Sequence, residues 1–348
     1  MNLVRSHVVI QTAFLGDLFL TIPLLKRLRS LYPHDRLILV CKKNLGAYFL
    51  KEKFVDHIFE VQKGDRYSYL QAVKELNQIR IETVFCIHRS IRSQLMSFQI
   101  KAKRKIGFKS VLGSLVFTET VSYQSKWPDP LRQLWLLSPI DPVSSQDLSG
   151  ETWENLNRTE SNGRMVAIPE KFAVTASRQS HQPTRKIAIF PGSVWATKKW
   201  TLSGFTELSQ MLIQNGYQVF LMGGPDEKSL CEQVHHVVPE THVLAGQKSI
   251  LESVEFIATC DLVVSNDSAP AHMASSQNVP VVALFGPTTL NLGFRPWSSN
   301  AFVVQNNSLT CRPCGKHGHQ KCPLKHHHCM TQITAEQVLI ACQELLTR

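Results

Sequence analysis

No uninterrupted apolar run in this chain of 348 residues reaches the ~18 that a membrane-spanning helix needs, so none is expected. The N-terminus lacks a basic segment leading into an apolar core and a small-residue cleavage site. Its best apolar stretch, "AFLGDLFLTIPLL", is broken by Asp17, so no signal peptide is expected and the cytoplasm is the expected compartment. There the nine cysteines are read as reduced thiols or ligands rather than disulfides. The chain has no G-x-G-x-x-G, which argues against a nicotinamide dinucleotide fold, and no G-x-x-x-x-G-K-[ST], which argues against a P-loop NTPase. Acid is absent from one long stretch: between Thr83 and Thr118 there is no Asp or Glu, while Arg89, Arg92, Lys101, Lys103, Arg104, Lys105 and Lys109 all fall there.

What is present is ordinary globular material. Hydrophobic residues make up 43% and charged residues 19%, enough apolar substance for two cores at this length. The net charge of +11 suits nucleic acid, an anionic membrane or an acidic small substrate. The acid-free stretch is either a solvated basic face or a surface that holds a phosphorylated or carboxylated acceptor, or the membrane beside it.

The first half alternates strand and helix patterns. "HVVIQ", "RLILVC", "VDHIFEVQ" and "TVFCIH" read as strands, with helices over 17–31, 44–52 and about 66–79 between them. Residues 124–184 break the rhythm with prolines and polar clusters, and read as a connecting region with a helix near 130–138 and an interdomain crossing near 165–184. The second half repeats the pattern in "KIAIF", "QVFLMGG", "THVLAG", "DLVVSND" and "VPVVALFG". Alternation of this kind implies parallel sheets covered on both faces, with ligands beyond the carboxyl ends of the strands.

The strand ends supply the candidate site. Gly16 and Asp17 follow the first strand; Asp17 is either an N-cap or a general base. In "FPGSVWATKKW", Ser193 and the turn amides are placed to meet a phosphate, with Lys198 reaching the same charge and Trp200 packing in the core. In "NDSAPAHMA", Asp267 or Ser268 caps a helix whose free amides form an anion site, with His272 one turn further on. Thr288 in "LFGPTT" offers a hydroxyl, and Asp226 or Glu227 in "GGPDEK" an acceptor for a ribose or an amino group. The densest local signal is "CRPCGKHGHQKCPLKHHHC", with Cys311, Cys314, Cys322 and Cys329 spaced C-x2-C-x7-C-x6-C. It reads as a zinc site or as a loop of reduced thiols packed on the body. The zinc reading, joined to the basic face, gives a competing class: a nucleic-acid-binding protein. Against it, no aromatic-interleaved RNA platform lies near the basic run.

Taken in order, "FLGDLFLTIPLLKRLRSLYP", "HRSIRS" with "RKIGF", "FPGSVWATKKW", "GGPDEK", "NDSAPAHMA" with "VPVVALFGPT", and "CRPC" resemble the ADP-heptose:lipopolysaccharide heptosyltransferases of glycosyltransferase family 9, heptosyltransferase II in type. The resemblance runs over nearly the whole chain. It implies a GT-B fold of two Rossmann-like parallel-sheet domains facing across a cleft. The acceptor domain is expected over 1–165, a linker over 166–185, the nucleotide-sugar domain over 186–330, and a last helix over 331–348 packing back toward the first domain. It implies inverting, metal-independent transfer without a cofactor from ADP-L-glycero-D-manno-heptose to the phosphorylated inner core, with Asp17 as base. Ser193, Lys198, Asp226, Asp267, Ser268, Ala269, His272 and Thr288 are expected at the donor, and Gly16, Arg89, Arg92 and Arg104 at the acceptor. Ala269 departs from the family's usual glycine at that point. A related enzyme with another nucleotide sugar remains the alternative within the fold. A lipid-anchored acceptor implies peripheral contact with the cytoplasmic face of the inner membrane, although no strongly amphipathic anchor helix stands out.

Overall fold

The structure is a computed structural model and describes residues 5–149, 153–174 and 185–347. It divides into two compact units, Met1–Thr152 and Trp153–Arg348. Each is an α/β unit with a six-stranded, all-parallel sheet, the fold class expected from the alternating pattern.

In the first unit the strands are β1 (Ser6–Ile10), β2 (Arg36–Lys42), β3 (His57–Val61), β4 (Ile81–Cys86), β5 (Ala102–Phe108) and β6 (Glu119–Val121). Their helices are α1 (Leu15–Phe19), α2 (Ile22–Leu31), α3 (Ala47–Lys51), α4 (Arg66–Leu76), α5 (Ile91–Gln99), α6 (Gly113–Val116), α7 (Asp129–Trp135) and α8 (Pro142–Leu148). The sheet order β3-β2-β1-β4-β5-β6 reverses direction between β1 and β4. The core joins Val8, Ile10, Ile38, Val40 and Val84 of the sheet to Val73, Leu76 and Met96 of α4 and α5. The single helix expected over 17–31 is two, because the chain turns at Leu20 and Thr21 before α2 restarts with Pro23 near its first position. β5 was not expected: four of its seven residues, Lys103, Arg104, Lys105 and Gly107, are charged or glycine, so the sequence carries little strand signal there.

In the second unit the strands are β7 (Lys186–Phe190), β8 (Gln218–Leu221), β9 (His242–Val243), β10 (Leu262–Asn266), β11 (Val281–Phe285) and β12 (Ala301–Gln305), in the order β12-β11-β10-β7-β8-β9. The reversal here lies between β7 and β10. The helices are α9 (Leu202–Gln214), α10 (Lys228–Val237), α11 (Ile250–Ala258), α12 (Ala269–Ser276), α13 (His328–Thr331) and α14 (Ala335–Leu346). The last helix, expected to return toward the first half, packs on β10, β11, β12 and α9. Ala335, Val338, Ala341, Cys342, Leu345 and Leu346 are the apolar side chains that it buries in the second core.

Residues 153–165, expected in the first domain, also belong to the second unit. Arg164 bridges to Phe302, and the Met165 amide donates to Ala301 O at 2.9 Å. The fully buried Arg295 fastens this segment by donating to the carbonyls of Leu156, Val166 (2.8 Å) and Ser298 (3.2 Å). Part of the expected crossing, residues 175–184, lies outside the described residues. Among the described residues no helix is long and apolar enough to cross a membrane.

Candidate functional site

In each sheet the candidate residues gather where the strand order reverses, the place where adjacent loops diverge and leave a crevice. In the first unit this is the end of β1 and β4. Of the two roles the sequence left open for Asp17, N-cap and general base, the N-cap position is taken by Phe14. It is the third residue of α1, and its Oδ2 accepts from the Phe14 amide at 3.1 Å. Its half-buried carboxyl is pushed up to about 7, first by burial and then by the nearby Asp129 carboxylate, against the pull of Lys42. Gly16 sits beside it in the same turn.

Three groups that the sequence reading passed over stand at this edge. Lys42, the last residue of β2, lies over the Phe14 ring at 4.3 Å and acts on both Asp17 and His88. His88 follows β4. Its Nδ1 meets Thr12 Oγ1 at 2.9 Å, Ser93 Oγ at 3.2 Å and Ser90 Oγ at 3.4 Å, and burial together with Lys42 and Arg92 holds it down to about 4. Asp129, at the start of α7, accepts from Gln133 at 2.6 Å, and burial raises its carboxyl as well. The rule that ligands lie beyond strand ends would have flagged Lys42 and His88; Asp129 gave no local signal in "WPDP".

The cations expected at the acceptor separate. Arg89 and Arg92 are exposed just beyond β4, over the rings of Tyr123 (4.0 Å) and Tyr69 (5.6 Å). Arg104 lies near the amino end of β5, away from the edge that carries Asp17. It is forked onto Glu119 with both bonds at 2.7 Å, so its charge is already matched.

In the second unit, Ser193 and Lys198 come from the turn after β7, and Asp267, Ser268 and Ala269 from the turn after β10. Asn266 ties the two turns together. Its Nδ2 donates to Pro191 O (2.9 Å) and Gly192 O (3.0 Å), and its Oδ1 accepts from the Trp200 amide at 2.9 Å. Lys198 Nζ donates to Asp267 Oδ2 at 2.6 Å, and that oxygen also accepts from Thr288 Oγ1 at 2.6 Å. Ser193 is buried, with Oγ 3.4 Å from the Trp195 amide. Ser268 is the N-cap of α12 but makes no side-chain cap, so the first-turn amides beside half-buried Ala269 lack that partner. His272 is buried in α12 with Nδ1 unpartnered, and burial lowers it to about 4, leaving a neutral ring. This is an anion-ready assembly: a half-buried ammonium, an uncapped helix start and hydroxyls on one end of the sheet.

Of the two acids in "GGPDEK", the structure brings in Glu227. It accepts from the Gly224 amide at 2.8 Å and lies against Gly192, where a Cβ would fall 1.7 Å from its Oε1, so a side chain there would push the Glu227 carboxylate aside. Asp226 is exposed and stands apart from these contacts.

The Cys/His loop holds the Lys198 turn from the other side. Thr197 exchanges bonds with the His319 backbone at 2.7 and 2.8 Å, and His327 Nε2 meets Thr197 O at 2.8 Å. Arg312 anchors the loop to the sheet, donating to Gly286 O, Thr288 O (2.9 Å), Phe285 O (3.1 Å) and Asn306 O (2.5 Å). All nine cysteines are free, and among the described residues no group of three or more His, Cys, Asp or Glu is arranged to hold a metal ion.

The model of glycosyltransferase family 9 (heptosyltransferase) matches residues 69–327. Lipooligosaccharide heptosyltransferase 2 of Campylobacter jejuni is 30% identical over 165 residues, a match that spans 46% of this chain and half of that relative's length. Lipooligosaccharide heptosyltransferase 2 of Haemophilus influenzae is 24% identical over 98% of this chain and 99% of its own. The solved structure of the Escherichia coli ADP-heptose LPS heptosyltransferase II superposes with a TM-score of 0.73 at 21% identity, covering 98% of each chain, a likeness of fold.

Proposed function

Because the chain belongs to glycosyltransferase family 9, the heptosyltransferases, we propose that it moves a heptose from ADP-L-glycero-D-manno-heptose to the inner core of lipopolysaccharide. The acceptor hydroxyl attacks the anomeric carbon, Asp17 takes its proton, and ADP departs from the opposite face with inversion. The negative charge growing on the leaving diphosphate is met by Lys198, the first-turn amides of α12 and the Ser193 turn. Lys198 is held on Asp267 in the resting site, and a diphosphate of higher charge draws it across. Neutral His272 and Thr288 complete the donor contacts, with Glu227 in the role the sequence reading shared between Asp226 and Glu227. The Lys198 ammonium and the helix start supply the positive charge this reaction needs, which supports transfer without a metal ion or cofactor. Arg89 and Arg92 are the acceptor-side cations for a phosphorylated saccharide; Arg104, neutralised by Glu119, is not among them.

One observation carries the reading: a half-buried carboxyl at the first sheet's reversal, raised to about 7 and so basic enough to accept a proton near neutrality. Asp17→Asn is expected to lower turnover by roughly 10²–10⁴-fold while leaving ADP-heptose affinity unchanged. Retention of near-wild-type turnover would reduce Asp17 to a cap. Calorimetry with ADP-heptose against UDP- and GDP-sugars tests the donor, and selective binding of another nucleotide sugar would move the enzyme to the related alternative.

A further inference from the structure

α5 buries Met96 in the core but carries a second, uncovered apolar stripe. Its inward residues include Ser93, Gln94 and Ser97, while Ile91, Leu95 and Phe98, spaced by four and three, are 68, 46 and 59% exposed. Such a stripe normally faces a core. On one side α4 extends the stripe with Tyr67 (73%) and Leu70 (55%), and on the other Val111 (93%) and Leu115 (79%) extend it around α6. The helices are neighbours, α4 against α5 and α5 against α6. Among the described residues, seven of the fifteen exposed large hydrophobic side chains thus fall within residues 67–115, too many in one region to be the scattered apolar residues of an ordinary surface. A groove of about 450 Å³ runs between α4 and α5, walled by Tyr69, Leu70, Ile91 and Leu95 with Arg66 at its side.

The charge around this patch is mainly positive, with Asp65 and Glu75 on α4 as its acids. Arg66, Lys101 and Lys109 are exposed, and Lys105 reaches over to Phe98, with Nζ on Phe98 O at 2.7 Å. The acid lining the groove, Asp65, caps α4 by accepting from Tyr67 N at 2.9 Å. From Thr83 to Thr118 there is no acid at all beside Lys101, Lys105 and Lys109. A second copy of the chain would set this basic rim against itself, a repulsive pairing. An anionic lipid surface complements both features at once: the aliphatic and aromatic tips enter the acyl boundary, and the cations meet the headgroup phosphates.

We propose that the exposed face of α4, α5 and α6 docks the protein onto a bilayer containing anionic phospholipid. No one helix is an amphipathic anchor; three short ones share the work, which hides the surface from a search along the sequence. The inference does not rest on the transfer reading, since it concerns a face of the first unit and no donor chemistry.

The test is co-sedimentation of the full chain with phosphatidylglycerol-containing vesicles and with pure phosphatidylcholine vesicles, at low and high ionic strength. The wild type is expected to pellet with the anionic vesicles, less at high salt, and little with the neutral ones. Ile91→Asp with Phe98→Asp should weaken binding about tenfold or more, since two apolar contacts are lost and two repulsive charges gained. Val237→Asp, an equally exposed apolar position on α10, should leave binding intact. All three substitutions lie on the surface, and an unchanged thermal melt verifies folding. Equal pelleting of the double variant, or no preference for anionic vesicles, would overturn the proposal. So would a wild-type dimer in light scattering that the double variant splits, because the patch would then be covered by a second copy.

Discussion

At the scale of the residue, the defining quantity is the acidity of Asp17. Its carboxyl titrates near 7 in the folded protein against an ordinary value near 3.8, because packing around it withholds water and Asp129 lies nearby. If Asp17 is the base, log(kcat/KM) rises with pH and levels off above about 7, and the rising limb vanishes in Asp17→Asn. The same elevation has a cost in stability. The folded state holds the proton more tightly than the unfolded chain, so this group's contribution falls as pH climbs from about 4 to about 7. Asp17→Asn should therefore raise the thermal midpoint at pH 8 and change it little at pH 4, readable by calorimetry. Lys198 gives a second residue-scale expectation. With side-chain exposures of 13% and 7%, the Lys198–Asp267 pair is well shielded. Lys198→Met should weaken ADP binding and also destabilise the fold by about 3 kcal/mol, since Asp267 is left with its charge uncompensated. Lys198→Met with Asp267→Asn should recover most of the stability and none of the ADP affinity.

Elements fix where these residues stand. β1, β4, β7 and β10 end in buried positions and release the chain at the reversal points, and Asn266 holds two of those turns in one register. The 311–329 loop is a structural arm, because Arg312 saturates carbonyls at the ends of β11 and β12 while His319 and His327 grip Thr197. Arg312→Ala is expected to cost about 2 kcal/mol, open the loop to limited proteolysis and lower ADP affinity without touching ADP. In the first unit, α2 is clamped to the start of α8 by Arg27, whose bonds at 2.6 and 2.8 Å hold the Asp141 carboxyl down to about 2. That stabilisation is present above the ordinary carboxylate range and is lost as pH falls from about 4 through about 2. Arg27→Met should therefore flatten the acid limb of a stability curve and matter most near neutral pH.

At the scale of the whole molecule, each unit carries its own sheet and its own buried core. A fragment spanning 153–348 is expected to fold and to bind ADP, measurable by circular dichroism and calorimetry, because the second core is complete without the first. A fragment starting at 166 should fold poorly, since it discards the segment that Arg295 and β12 hold in place.

Much of this was legible along the chain. Periodicity placed most strands, and the residues after them gave Asp17, Ser193, Lys198, Asp267 and Thr288, because strand ends and turn chemistry are local properties. What escaped was set by neighbours distant in sequence. β5 was hidden under its lysines because a strand's membership depends on the partners it bonds to, here β4 and β6. Arg104 looked like one more free cation until Glu119 arrived on the adjacent strand, and Glu227 rather than Asp226 met Gly192 because of how one turn faces another. The uncovered apolar stripe of α5 belongs to the same class. The sequence by itself determined that there would be two parallel sheets and which polar loops would follow their strands. Only the tertiary structure decided which charges are already paired, which carboxyl is starved of water and which apolar side chains are left uncovered, since pairing, desolvation and exposure exist only once distant segments have packed.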